Sequence, residues 1–244
     1  MNRVLTVKNL VKNYGKIQAV SGIDFFVSAG EIFALIGPNG AGKSTTLKMV
    51  ATLLNPTSGE INVGGFDLSS RPEKVREIIS YLPEEAGAYK NLTGRQYLEL
   101  FSELFSKNQK ERAGFLEKGI LISDLGDRLK DKVKTYSKGM TRKLLLSRAV
   151  MSRPKLAILD EPTSGLDVIN AFAIRKTIRN LSKEGMSVLL SSHNMLEIEF
   201  LADRVAIIAK GKIHDFGTPK ELKNKYSASN LEEVFIQSSA GGEK

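Results

Sequence analysis

Cysteine is absent from the 244 residues, and histidine occurs only twice. A disulfide framework, a thiolate metal site and a cysteine nucleophile are therefore excluded, and two histidines leave little room for zinc. No apolar run approaches the roughly 20 residues of a membrane span. The opening Met1-Asn2-Arg3-Val4-Leu5-Thr6-Val7 enters strand-like alternation at once, with no signal-peptide core. A cytosolic chain is expected. Long blocks of one charge are missing too: 36 Lys and Arg against 27 Asp and Glu give +9, but the basic groups at 107–112, 128–143 and 220–225 are short. They read as solvated helix faces. The overall excess still favours acidic partners: nucleotides, nucleic acid or an anionic leaflet. No internal repeat is found.

What is present begins with an ordinary balance of 41% hydrophobic and 26% charged residues, in a chain long enough for a sizeable α/β core. The most informative stretch is Gly37, Pro38, Asn39, Gly40, Ala41, Gly42, Lys43, Ser44 and Thr45. An apolar run of strand character precedes it at 31–36, and helical spacing follows at 46–54. Glycines in that position let backbone N–H groups wrap a phosphate, and the helix N-terminus adds its positive end. Lys43 would reach the β- and γ-phosphates, and the Ser44 hydroxyl would ligate Mg²⁺. The four fixed positions of this motif arise by chance about once in a hundred chains of this length.

Short strands at 3–7 and 23–27, with 9–20 between them, predict an antiparallel β portion at the front. A strand and turn at 60–65, a small helix at 71–77 and a buried strand at 78–82 follow. From 84 the texture becomes helical, at 93–105, 108–122 and 138–151, with no convincing strand. The sheet resumes at 155–160, then a helix at 168–184 and a strand at 187–191, an alternation that implies a parallel sheet. A hairpin is expected at 204–216, helices at 218–225 and 230–237, and a frayed tail at 238–244. The predicted organisation is a single domain over 1–237, with core 1–84 and 152–225, a helical insert at 85–151 and C-terminal helices at 218–237.

In an open parallel sheet, ligands gather beyond the C-terminal strand ends. One strand there delivers the glycine loop, a second Asp160 and Glu161, and a third Ser191, Ser192 and His193. Beside a phosphate loop, Asp160 suits Mg²⁺, directly or through water. Glu161 is placed to polarise a water against the γ-phosphate, and His193 to contact that phosphate. Singly, an N-cap would account for Asp160, a solvated acid for Glu161 and a turn residue for His193. Their joint occurrence after three apolar strands favours a site.

These motifs resemble the ATP-binding subunit of an ABC transporter over roughly residues 3–236. Tyr136-Ser137-Lys138-Gly139-Met140 is similar to the family signature, Ser164-Gly165-Leu166-Asp167 to its dimer-contact loop, His193 to its switch histidine and Tyr14 to the aromatic that stacks on adenine. The resemblance implies a P-loop NTPase core with a mostly parallel sheet, ATP and Mg²⁺ as cofactors, and Glu161, His193 and Lys43 in catalysis. It further implies a homodimer or heterodimer that sandwiches two ATP, with Ser137, Gly139 and Met140 facing the partner's nucleotide. Such a subunit would sit at the cytoplasmic face of the membrane and drive a separate permease, without nucleic acid. Three positions depart from the pattern: Lys138 and Met140 stand where Gly and Gln are usual, and Glu84 replaces the glutamine expected to meet Mg²⁺. The alternative is a relative acting on ribosomes or DNA, which the charge alone supports. Export is the favoured direction.

Overall fold

The computed structural model describes residues 2–240; Met1 and 241–244 lie outside the described residues. The front of the chain forms β1 (Arg3–Tyr14) and β2 (Ile17–Ser28), a long hairpin rather than several short strands. Register shifts break its ladder, and one coincides with Asn9, at φ 44°, beside Gly22, at φ 69°. A bulge bends and twists a strand without ending it, so a pattern that loses alternation at Asn9 still belongs to one element. β3 (Ile32–Ile36) leads through the glycine loop into α1 (Lys43–Val50). β4 (Ser58–Val63) and β5 (Phe66–Asp67) complete a four-stranded antiparallel sheet, ordered β2-β1-β4-β5.

After α2 (Pro72–Arg76) and β6 (Ile79–Leu82) the chain runs through α3 (Gly94–Phe105), α4 (Gln109–Ser123) and α5 (Lys138–Val150). Each begins where a side chain can satisfy its orphan amides. Thr93 and Gln96 form a reciprocal capping box, Asn108 accepts from the Glu111 amide at 3.0 Å, and Ser137 accepts from the Met140 amide at 3.2 Å. β7 (Leu156–Asp160), α6 (Val168–Lys183), β8 (Ser187–Ser192), α7 (Met195–Leu201), β9 (Arg204–Ala209) and β10 (Lys212–Gly217) return to the sheet. Its order is β10-β9-β3-β8-β7-β6, parallel throughout except for the β9-β10 hairpin.

α8 (Pro219–Tyr226) and α9 (Leu231–Ala240) close the chain. The tail expected from residue 238 therefore starts too early. Leu231, Val234 and Ser238 are buried at helical spacing, and that face carries α9 to Ala240.

Two apolar clusters lie on opposite faces of the parallel sheet. Ile32, Ala34 and Ile36 of β3 point into a cluster shared with α3, α5 and α6, while Phe33 and Leu35 point into one shared with β1, β2 and α1. Alternation within a wholly buried strand thus assigns each residue to a layer.

Candidate functional site

Three strands end at one level because their registers match: Ile36 pairs with Ser192, and Asp160 with Ser191. The loop after β3 is shaped by contacts that leave no room for a side chain. A Cβ at Gly37 would stand 2.0 Å from the Ile208 carbonyl oxygen, and one at Gly42, which has φ 104°, 2.5 Å from that of Ala19. Pro38, Asn39 and Gly40 form the exposed crest, and Ala41 is buried beneath it. The amides of Lys43, Ser44 and Thr45 open α1 and have no intrahelical acceptor.

Lys43 folds back into this loop, donating to the carbonyls of Gly37 at 2.7 Å and Pro38 at 3.1 Å. Its Nζ lies 3.8 Å from Glu161 Oε1. Burial holds the lysine below its ordinary range, while Glu161, Asp160 and Glu84 pull it back up.

Ser44 Oγ donates to Asp160 Oδ1 at 3.0 Å, so the two oxygens assigned to Mg²⁺ are neighbours. Asp160 is only 3% exposed and is held further by Ser191 Oγ on Oδ1 at 2.5 Å and Tyr81 OH on Oδ2 at 3.3 Å. A hydroxyl and a carboxylate at a phosphate loop form a hard-oxygen donor set suited to Mg²⁺, an ion that takes most of its shell from water and phosphate. Among the described residues, no group of three or more His, Cys, Asp or Glu could hold a metal alone.

Glu161 has φ 47°, a left-handed conformation that is strained for a non-glycine residue. Its amide donates to Ser191 Oγ at 3.1 Å, and its Oε2 receives His193 Nδ1 at 3.0 Å. The other oxygen, Oε1, is buried without a hydrogen-bond partner. Burial pushes the carboxyl above the usual range, against the downward pull of His193 and Lys43. An ionised buried oxygen facing a phosphate loop is a strong acceptor for a water proton. His193 itself is exposed.

The remaining expected residues fall into other groups. Tyr14, 48% exposed, pairs with Ile17 at the hairpin end that leads to Ala19 and so to Gly42. Ser137, Gly139 and Met140 share a cluster with Asp167, which caps α6 through the Asn170 amide at 3.0 Å. Asn170 covers Gly139 so closely that a Cβ there would be 2.3 Å away. Among the described residues, no hydrogen bond joins this cluster to the phosphate loop of the same chain. Glu84 Oε1 accepts from Ser164 Oγ at 3.1 Å, which ties it to the 164–167 loop, and its charge still acts on Lys43 and Glu161.

Two contributors, Tyr81 and Arg142, were not expected from the sequence, and Ser191, expected only at its strand end, bridges Asp160 and the Glu161 backbone. Tyr81 steadies the second Asp160 oxygen. Arg142, buried in α5, donates to carbonyls around the site. Its one available signal is a charge on an otherwise apolar helix face with Gly139, Leu145, Leu146 and Ala149.

A family model described as ABC transporter matches residues 20–164. The linearmycin resistance ATP-binding protein LnrL of Bacillus subtilis is 36% identical over 96% of this chain and 75% of its own length. The daunorubicin/doxorubicin resistance ATP-binding protein DrrA of Streptomyces peucetius is 39% identical over 94% and 69%. The lantibiotic transport ATP-binding protein SrtF of Streptococcus pyogenes is 37% identical over 95% and 96%. A solved structure of an ATP binding subunit of an ABC transporter superposes with TM-score 0.84 at 30% identity, covering 97% of this chain and 99% of that one. A phosphate loop, an acid pair and a histidine brought together at three matched strand ends, in a chain similar to these proteins over nearly its whole length, have one reading: the chain belongs to the ABC transporter family, as an ATP-hydrolysing subunit that powers transport.

Proposed function

We propose that two such subunits, alike or homologous, close head to tail on two ATP molecules and drive a separate membrane permease from the cytoplasmic face. The observation that carries the hydrolytic part is Glu161: its Oε1 is buried, has no hydrogen-bond partner and lies 3.8 Å from Lys43 Nζ at the phosphate loop. In this reading the loop amides and Lys43 bind the phosphates, Tyr14 stacks on adenine, and Ser44 and Asp160 hold Mg²⁺. The ion supplies neutralisation of phosphate charge. Glu161 takes the proton of the attacking water, and His193 orients that carboxylate through Oε2.

Gly139 and the Ser137-capped start of α5 then meet the partner's nucleotide, with Asp167 at the contact between subunits. ATP closes such a dimer, and loss of the γ-phosphate opens it.

Among the described residues, no helix is long and apolar enough to cross a membrane; in this reading the conducting path belongs to another polypeptide. We place its docking surface in the groove between α2, β6 and the ends of α3 and α5, where Leu104 is 66% exposed and Phe105 43%. The relatives named for drug resistance support export. The ribosome or DNA alternative rests only on the +9 charge.

Glu161→Gln tests the reading directly. ATP affinity should persist, hydrolysis should fall by about 10²- to 10⁴-fold, the range of general-base catalysis, and gel filtration with MgATP should show a trapped dimer. A monomeric variant that turns over at the parent rate would refute it.

A further inference from the structure

A buried arginine that, among the described residues, forms no ion pair with a carboxylate stands at the centre of the site. Arg142 is 7% exposed, and all five of its N–H donors are used on backbone carbonyls. Nε donates to Pro162 at 2.8 Å. One terminal nitrogen donates to Pro83 and Glu84, both at 3.1 Å, and the other to Asp160 at 3.0 Å and Glu161 at 2.7 Å. One planar group thus joins α5, the loop after β6 and the end of β7. Burial disfavours its charge, which the nearby Glu84, Asp160 and Glu161 help to hold. Packing α5 onto the sheet would need an apolar residue of similar volume, not a fully bonded cation.

What the guanidinium adds is geometry. Glu161 sits in a left-handed backbone conformation at φ 47°. Such a conformation persists only where its surroundings over-determine it. Arg142 fixes the carbonyls on either side of the Asp160–Glu161 peptide junction while Ser191 fixes the amide between them.

We propose that Arg142 is a positioning residue for hydrolysis: it sets the backbone that aims Glu161 and ties that aim to the Pro83–Glu84 loop. The proposal rests on Glu161 being the base. It predicts an effect on turnover and not on nucleotide capture, since the phosphate loop lies outside the Arg142 contacts.

The test compares Arg142→Gln, Arg142→Lys and Arg142→Ala in the full chain. Lysine keeps the charge but cannot reach three segments with a planar fork. Both Gln and Lys should lower kcat by about 10- to 100-fold, the scale of an ångström-sized misplacement. KM and the affinity for a fluorescent ATP analogue should change by less than about threefold. Added guanidinium ion should restore part of the Arg142→Ala turnover. In a Glu161→Gln background, Arg142→Gln should lower the residual turnover by less than about twofold, because groups acting as a unit are not additive.

Parent-like kcat in the Arg142 variants, or a loss of ATP affinity matching the loss of kcat, would overturn the proposal while leaving Glu161 as the base. Loss of folding in both Gln and Lys variants, read by circular dichroism, would overturn it in favour of a purely structural arginine. A Glu161→Gln enzyme at full rate would instead remove the reading beneath, and the proposal with it.

Discussion

Glu161 is surrounded by charges of both signs. His193 and Lys43 stabilise its ionised form; burial and Glu84 oppose it, and the net displacement is upward. Arg142 stands behind it on the main chain. A base acts when ionised, so hydrolysis should rise with pH through a midpoint above the ordinary carboxylate range. Glu84→Gln removes one of the two influences that raise that midpoint. The acid limb of the rate profile should therefore move to lower pH, with the plateau within about twofold of the parent since no transition-state contact is lost. A limb that stays in place, or moves to higher pH, would separate Glu84 from the hydrolytic carboxylate. The same substitution leaves an amide oxygen to accept from Ser164, so the contact to the 164–167 loop need not break.

At the scale of elements, the start of α5 and the start of α6 behave as one unit. Asn170 bonds Asp167 through its amide at 3.0 Å and its side chain at 2.6 Å, and its carboxamide lies over Gly139. Gly139→Ala would drive a methyl group into that carboxamide. ATP affinity of the isolated chain should stay within about threefold, while hydrolysis falls at least about tenfold as the shared surface is lost. Full activity in that variant would show that the interlock is dispensable. These helices were legible from their periodicity, to within a residue at their starts, and the structure shows what fixes those starts: the side chains of Thr93, Asn108, Ser137, Asp167 and Thr218 cap them. α7 was not legible, since seven residues after His193 give too short a period. The β1–β2 hairpin was read as fragments because its bulges interrupt alternation without ending pairing. In the site, residues that act through side chains, such as Lys43, Ser44, Asp160 and Glu161, could be found from spacing. Arg142 could not, because its partners are carbonyls, which every residue carries.

For the whole molecule, the decisive feature is a sheet whose two faces feed two cores. Leu156 and Ile158 face one cluster and Ala157 and Leu159 the other, so neither core can melt without exposing the strand that serves both. The helical region contributes Tyr97, Leu98 and Leu144 to the same cluster as Ile32 and Val188. Calorimetry of the nucleotide-free chain should accordingly give one endotherm, with equal calorimetric and van't Hoff enthalpies. An early, separate transition of the helical region would argue for two units. The five bonds of Arg142 extend this sharing to protein engineering. A helical region transplanted from a relative to change permease choice would find its apolar footing in any similar sheet. Unless it also brought an arginine to this one position, the chimera should still bind ATP but turn it over about 10- to 100-fold more slowly.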